Sequence, residues 1–217
     1  MKTDSQLQQD VSAELNWEPS IHAARIGVEV RDGVVTLAGQ VDSYAEKWNA
    51  ERAAQRVFGV KAVAVDLKVH LTSLSQRSDA DIASSVENVL EWTSALPAGT
   101  LKVMVEGGWV TLSGDVGWQY QKQAAADSIR YLMGVIGVSN QIGIKPSVTA
   151  TAVKSDIEAA LKRTAMADAK KIAVAVQGTD VTLTGTVQSW SERETATSSA
   201  WGTPGVRNVV DKMTVAY

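Results

Sequence analysis

The side chains able to do covalent or metal chemistry are few. Cysteine is absent and histidine occurs twice in 217 residues, which removes thiolate nucleophiles, disulfide frameworks and cysteine-based zinc sites. His22 falls in a loop and His70 just after a strand pattern. No acid or nucleophile lies at a spacing that would make either a triad member or a metal ligand, so both read as solvated loop histidines. Gly134-Val135-Ile136-Gly137 matches a GxxG clamp in letters, but it joins a helix to a strand without the basic surroundings of an RNA site. No phosphate-cradling glycine loop is present. The chain is therefore expected to be non-enzymatic, to need no cofactor or metal and to bind no nucleic acid.

Binding is better represented than catalysis. Seven tryptophans accompany a single phenylalanine. Tyr44, Trp118, Tyr120 and Trp190 all fall between a strand and the helix that follows it, where amphipathic aromatics suit a lipid or protein contact. Trp109 shares the outward strand phase with Met104, which marks an interface with a neighbouring part of the chain or with a partner. Trp17 and Trp92 end two equivalent helices and are expected to close the bottom of a helix-sheet core. Lys162, Arg163, Lys170 and Lys171 form the one local basic cluster, of a size that could hold a phosphate headgroup. Tyr44, Trp109, Trp118, Tyr120, Trp190 and these four cations are the candidate lipid or partner contacts.

The elements that must position these residues occur three times. Val34-Val35-Thr36-Leu37-Ala38-Gly39-Gln40-Val41, Trp109-Val110-Thr111-Leu112-Ser113-Gly114-Asp115-Val116 and Asp180-Val181-Thr182-Leu183-Thr184-Gly185-Thr186-Val187 share one pattern, at offsets of 75 and 71 residues. The same offsets align Val11 with Val86 and Ile157, Ala50 with Ala125 and Ala196, and Gly59-Val60 with Gly134-Val135 and Gly205-Val206. Register held over such distances means triplication. Three repeats are expected, over residues 1–71, 76–146 and 147–217.

Each repeat opens with apolar residues at helical spacing, as in Leu7, Val11 and Leu15. Alternation through Ile26, Val28 and Val30 follows, with the period of a half-buried strand. Asp32-Gly33, Gly107-Gly108 and Gly178-Thr179 then mark hairpin turns. An alanine-rich helix and a last alternating strand complete the unit. The fold class is α/β (α+β): three tandem αββαβ modules, each a small three-stranded sheet covered by two helices. The recurring Thr36, Thr111 and Thr182 fit β-propensity on the outward phase. Units of this size have small cores and are expected to support one another.

A net charge of -3 argues against a broad footprint on nucleic acid or anionic lipid. No signal-like or membrane-spanning apolar run is present, so the expected location is cytoplasmic, or periplasmic if a leader has been removed.

The glycine-valine motifs, best seen in Asp32-Gly33-Val34-Val35-Thr36-Leu37-Ala38-Gly39 followed by Gly59-Val60-Lys61-Ala62-Val63, resemble the BON domain, and they do so three times over nearly the whole chain. The resemblance implies an αββαβ fold, peripheral association with phospholipid or envelope structures under osmotic stress, and no enzyme activity. The alternative from the same module is a soluble protein-binding or chaperone-like stress protein.

Overall fold

The structure, a computed structural model, describes residues 2–145, 156–160, 172–203 and 206–216. Repeat 1 begins with α1 (Asp4–Trp17), whose start is fixed by a capping box: the Thr3 hydroxyl accepts from the Gln6 amide, and the Gln6 side chain accepts from the Thr3 amide. Leu7, Val11 and Leu15 form its buried stripe. Strands β1 (Ile26–Arg31) and β2 (Val34–Val41) pair antiparallel through Asp32 and Gly33, which take φ of 52° and 78°. Those values suit a two-residue turn that matches the strand twist. The Asp4 carboxylate accepts from both turn amides at 2.8 and 3.0 Å, tying the start of the helix to the hairpin.

Helix α2 (Tyr44–Arg56) then crosses over the sheet, and β3 (Ala62–Val69) lies parallel to β2, so β2 is the central strand. Its Val35, Leu37 and Val41 meet Ala50, Ala53 and Ala54 of α2 in the core. Alanine lets that helix approach the sheet closely. Gly39 has φ of 143°, and a Cβ there would stand 2.1 Å from the Arg25 carbonyl oxygen. Gly114 and Gly185 occupy the equivalent place with φ of 118° and 131°.

Repeat 2 follows the same path through α3 (Asp79–Trp92), β4 (Leu101–Glu106), β5 (Trp109–Val116), α4 (Gln119–Ile129), β6 (Gly137–Asn140) and β7 (Gly143–Ile144). Strands β6 and β7 are two parts of one edge, since both pair parallel with β5 in one unbroken register. Asp79 repeats the latch of Asp4, accepting from Gly107 and Gly108 at 2.8 Å each. In repeat 3 the helical residues 156–160 (α5) precede β8 (Ile172–Gln177), β9 (Asp180–Val187), α6 (Trp190–Trp201) and β10 (Asn208–Val215). Leu37, Leu112 and Leu183 are fully buried, each in its own core. The chain is thus three αββαβ modules in tandem.

One expectation about aromatics fails. Trp17 and Trp92 do not close the cores: they are 83% and 88% exposed. Each lies two residues beyond a buried leucine, Leu15 or Leu90, hence about 200° around the helix from the apolar stripe. Met104 and Trp109 lie on the open sheet face as expected, opposite buried Val110 and Leu112; among the described residues no neighbouring repeat covers them, and they are 59% and 48% exposed. Trp109 is instead accommodated within its own sheet. Its ring lies over Gly137, its register partner on β6, where a Cβ would meet the indole at 2.3 Å. Val34 and Ala62 form the corresponding pair in repeat 1.

The modules contact one another pairwise and close a ring. Tyr44 of repeat 1 packs into the core of repeat 2, and the Arg130 guanidinium of repeat 2 covers the Trp48 ring at 3.5 Å. Trp201 of repeat 3 packs against the cores of both repeat 3 and repeat 2. Trp190 donates its indole N–H to the Val60 carbonyl of repeat 1 at 2.7 Å, and Arg52 pairs with Glu194 at 2.6 Å. Tyr44 and Trp190 are equivalent positions, and each engages the start of the third strand in the next module. The contact from repeat 1 to repeat 2 therefore recurs from repeat 3 to repeat 1, as a cyclic arrangement requires.

Candidate functional site

Helices α2, α4 and α6 face one another across the centre of the ring, and a cavity of about 1910 Å³ lies between them. The Ala-rich face of each helix is spent on its own sheet, so the opposite face supplies the wall. Trp48, Trp118, Tyr120, Trp190 and Trp201 provide its aromatic surface. Its charges occur in pairs: Arg52 with Glu194, Arg193 with Asp211 at 2.6 Å, Arg56 with Glu14 and Glu18 at 3.0 and 3.3 Å, and Asp127 with Arg130. Hydrogen bonds from Ser20 and Arg56 hold the Glu18 carboxyl below its ordinary pKa. The Arg52 and Arg193 guanidinium groups also lie near the Trp48 and Trp190 rings, at 5.4 and 5.0 Å from their centroids.

Trp118, Tyr120 and Trp190 line the cavity, while Tyr44 is half-buried at the joint between repeats 1 and 2. Burial raises the Tyr44 pKa, partly offset by the nearby Arg130 charge. Trp109 stands apart on the open sheet face. Lys162, Arg163, Lys170 and Lys171 lie outside the described residues. Sequence reasoning missed Trp48, Trp201 and Arg130. The position of Trp48 is held by Gln123 and Glu194 in the other repeats, and that of Trp201 by Gln55 and Arg130. Comparison between repeats therefore flagged none of them. The available signal was a large aromatic on the non-alanine face of a short helix.

The chain fold also brings His22, Asp42 and Glu46 together, with ligand atoms within 4.8 Å of one another. The histidine was expected to stand alone, since Glu46 is distant in sequence. Glu46 is 4% exposed and accepts from the His22 amide at 2.7 Å, the Asp42 amide at 2.8 Å and the His22 ring at 3.0 Å. Gln121 does the same work in repeat 2, accepting from the Gly117 and Trp118 amides, and Glu192 accepts from Gln188 in repeat 3. An uncharged glutamine serving equally well marks this as a latch that holds the start of each second helix. Asp42, the remaining acid, is paired with Arg25 at 2.7 Å.

The Escherichia coli (strain K12) protein named osmotically-inducible protein Y is 30% identical over 148 residues, which cover 65% of this chain and 73% of that protein. Among solved structures, the C-terminal domain of CdsD, a structural protein of the type III secretion system of Chlamydia trachomatis, aligns over 100% of both chains at 15% identity and a TM-score of 0.27. The PrgH periplasmic domain aligns over 89% of this chain and 96% of its own at 15% identity and a TM-score of 0.24. Superpositions this loose support no inference. The family model described as the BON domain matches residues 3–70, 78–146 and 149–217, each spanning one αββαβ module, and the chain belongs to the BON domain family.

Proposed function

We propose that this chain is a non-enzymatic binding protein of the osmotic-stress response that associates weakly and peripherally with phospholipid surfaces. The single observation that carries the reading is the exposure of Trp17 and Trp92 at the matching ends of α1 and α3. Leaving one large aromatic in water is ordinary, whereas repeating it at equivalent positions of a cyclic assembly puts two indoles at one level of the ring. Indole suits the headgroup region, where its apolar body is buried and its N–H stays solvated. In sequence Arg163 holds the third equivalent position, a cation beside Lys162 that an anionic surface would favour. The relation to osmotic stress is supported by the relative that is named as osmotically inducible.

No helix among the described residues is long and apolar enough to cross a membrane, so insertion would be limited to side chains at the surface. The test is co-sedimentation with liposomes of phosphatidylcholine and phosphatidylglycerol. The unmodified chain should pellet with the anionic mixture at low salt. Trp17→Ser with Trp92→Ser should reduce binding at every salt concentration, because apolar contact is not screened. Lys170→Glu with Lys171→Glu should reduce it at low salt only. If the unmodified chain stays in the supernatant with anionic liposomes at low salt, the lipid reading fails and a protein partner takes its place.

A further inference from the structure

We infer that the solvent-open cavity between α2, α4 and α6 is a binding site for a neutral oligosaccharide, with Tyr120 and Gln123 among its contact residues. The inference is independent of the membrane reading, which concerns Trp17 and Trp92 on the outside of the modules. It rests on what the wall contains and what it lacks. Five aromatic side chains line it, yet among the described residues the wall has no leucine, isoleucine, valine, methionine or phenylalanine. A groove for an acyl chain or for the apolar face of a peptide helix is built from such aliphatic residues, which supply continuous greasy contact. Helices supply nearly all of the wall, and the edge strand β10 contributes only Asp211, whose carboxylate is taken up by Arg193.

Charge narrows the ligand further. Every charged residue of the wall already has a partner of opposite sign within the protein. An ionic ligand would have to compete with those pairs, which already neutralise the charge of the wall. The remaining polar surface is neutral. The Gln119 amide and the Ser191 and Ser198 hydroxyls make no hydrogen bond among the described residues, and Asn49 and Gln123 stand beside them.

Aromatic faces interleaved with amides and hydroxyls match one ligand chemistry well. The C–H face of a pyranose ring carries partial positive charge toward the negative face of an indole or phenol, while its rim of hydroxyls meets donors and acceptors. The cavity volume of about 1910 Å³ exceeds the 300–1,000 Å³ usual for a single small molecule, which favours several sugar units over one.

The experiment is calorimetric titration of the full chain with cellohexaose, chitohexaose and maltoheptaose. At least one should bind saturably. Tyr120→Ala and Gln123→Ala should each weaken that binding about tenfold or more. The paired change Trp17→Ser and Trp92→Ser should leave it unaltered. Raising sodium chloride to about 0.5 M should leave affinity within about twofold, since no charge is used. Circular dichroism verifies that the variants remain folded. Failure of all three sugars to bind overturns the inference, as does binding that survives Tyr120→Ala. Tighter binding of dodecanoate or of a sulfated heparin hexasaccharide, lost on Tyr120→Ala, would also overturn it by assigning the cavity to another class of ligand.

Discussion

The guanidinium of Arg130 lies 3.5 Å from the centroid of the Trp48 ring, so a cation of repeat 2 covers an aromatic face of repeat 1. The Arg130 side chain is only 8% exposed and is also paired with Asp127. A cation held this close to indole and out of water contributes more than a surface contact would. Arg130→Ala should therefore destabilise the joint between repeats 1 and 2 by about 1–2 kcal/mol. Arg130→Lys should recover only part of the loss, since an ammonium cannot stack as a planar guanidinium does. Denaturant titrations of both variants and of Trp48→Leu, combined as a double-mutant cycle, measure the coupling. A coupling near zero would reduce the contact to proximity.

Within each repeat, the strand phase sets which side chains matter. Leu112 is fully buried between β5 and its helices, whereas Thr111 faces the open side of the sheet. Leu112→Ala should cost about 2–5 kcal/mol, through lost transfer free energy and the cavity left behind. Thr111→Ala should cost far less. Equal shifts in the denaturant midpoint would contradict the assigned phase.

The same strand carries a matched pair whose members should be separately intolerant and jointly replaceable. Gly137→Ala drives a Cβ into the Trp109 ring, so it should destabilise repeat 2 by about 1–3 kcal/mol. Adding Trp109→Val recreates the Val34 and Ala62 pair of repeat 1 and should restore most of the loss. Thermal unfolding of the single and double variants decides this. A double variant no better than Gly137→Ala would mean that the ring is not what the glycine accommodates.

The interior of each module was legible because burial there follows two periods, 2 along β2, β5 and β9, and 3.6 along α1 and α3. The hairpin turns and the strand glycines could be read for the same reason: local geometry admits few residue types at Gly33 or Gly39. The ring was not legible. Its contacts join positions that carry different residues in every repeat, such as Trp48, Gln123 and Glu194, so neither periodicity nor repeat comparison could mark them. The aromatics expected in the strand-helix connections were noticed as contact residues, but Tyr44, Tyr120 and Trp190 belong to the first turns of α2, α4 and α6, and their direction depends on where the next module sits. The latch made by Glu46 was hidden for another reason. Its trace in sequence is an acid or amide at one first-turn position of every second helix, Glu46, Gln121 and Glu192, and that trace does not reveal the partner His22, which lies 24 residues away.

Tyr44 makes the joint between repeats 1 and 2 sensitive to alkaline pH. Its ring enters the core of repeat 2, and burial raises the pKa of its hydroxyl above the ordinary value of 10.0, with the Arg130 charge only partly opposing the shift. A raised pKa means that the folded state prefers the protonated phenol. The stabilisation is therefore fully present below pH 10.0 and is lost as pH rises from there through the higher folded-state value. Deprotonation would place a phenolate in a half-buried joint, where desolvation disfavours it. Tyr44→Phe removes the ionisable group while keeping the ring that fills the site. The variant should be slightly less stable at pH 8, where the hydroxyl loses its contact with the Val138 backbone. It should lose less stability than the unmodified chain between pH 9 and 11, because no proton has to leave. The comparison requires chemical denaturation across that range, with lysine titration common to both proteins. Parallel pH profiles for the two would show that Tyr44 is not the group responsible.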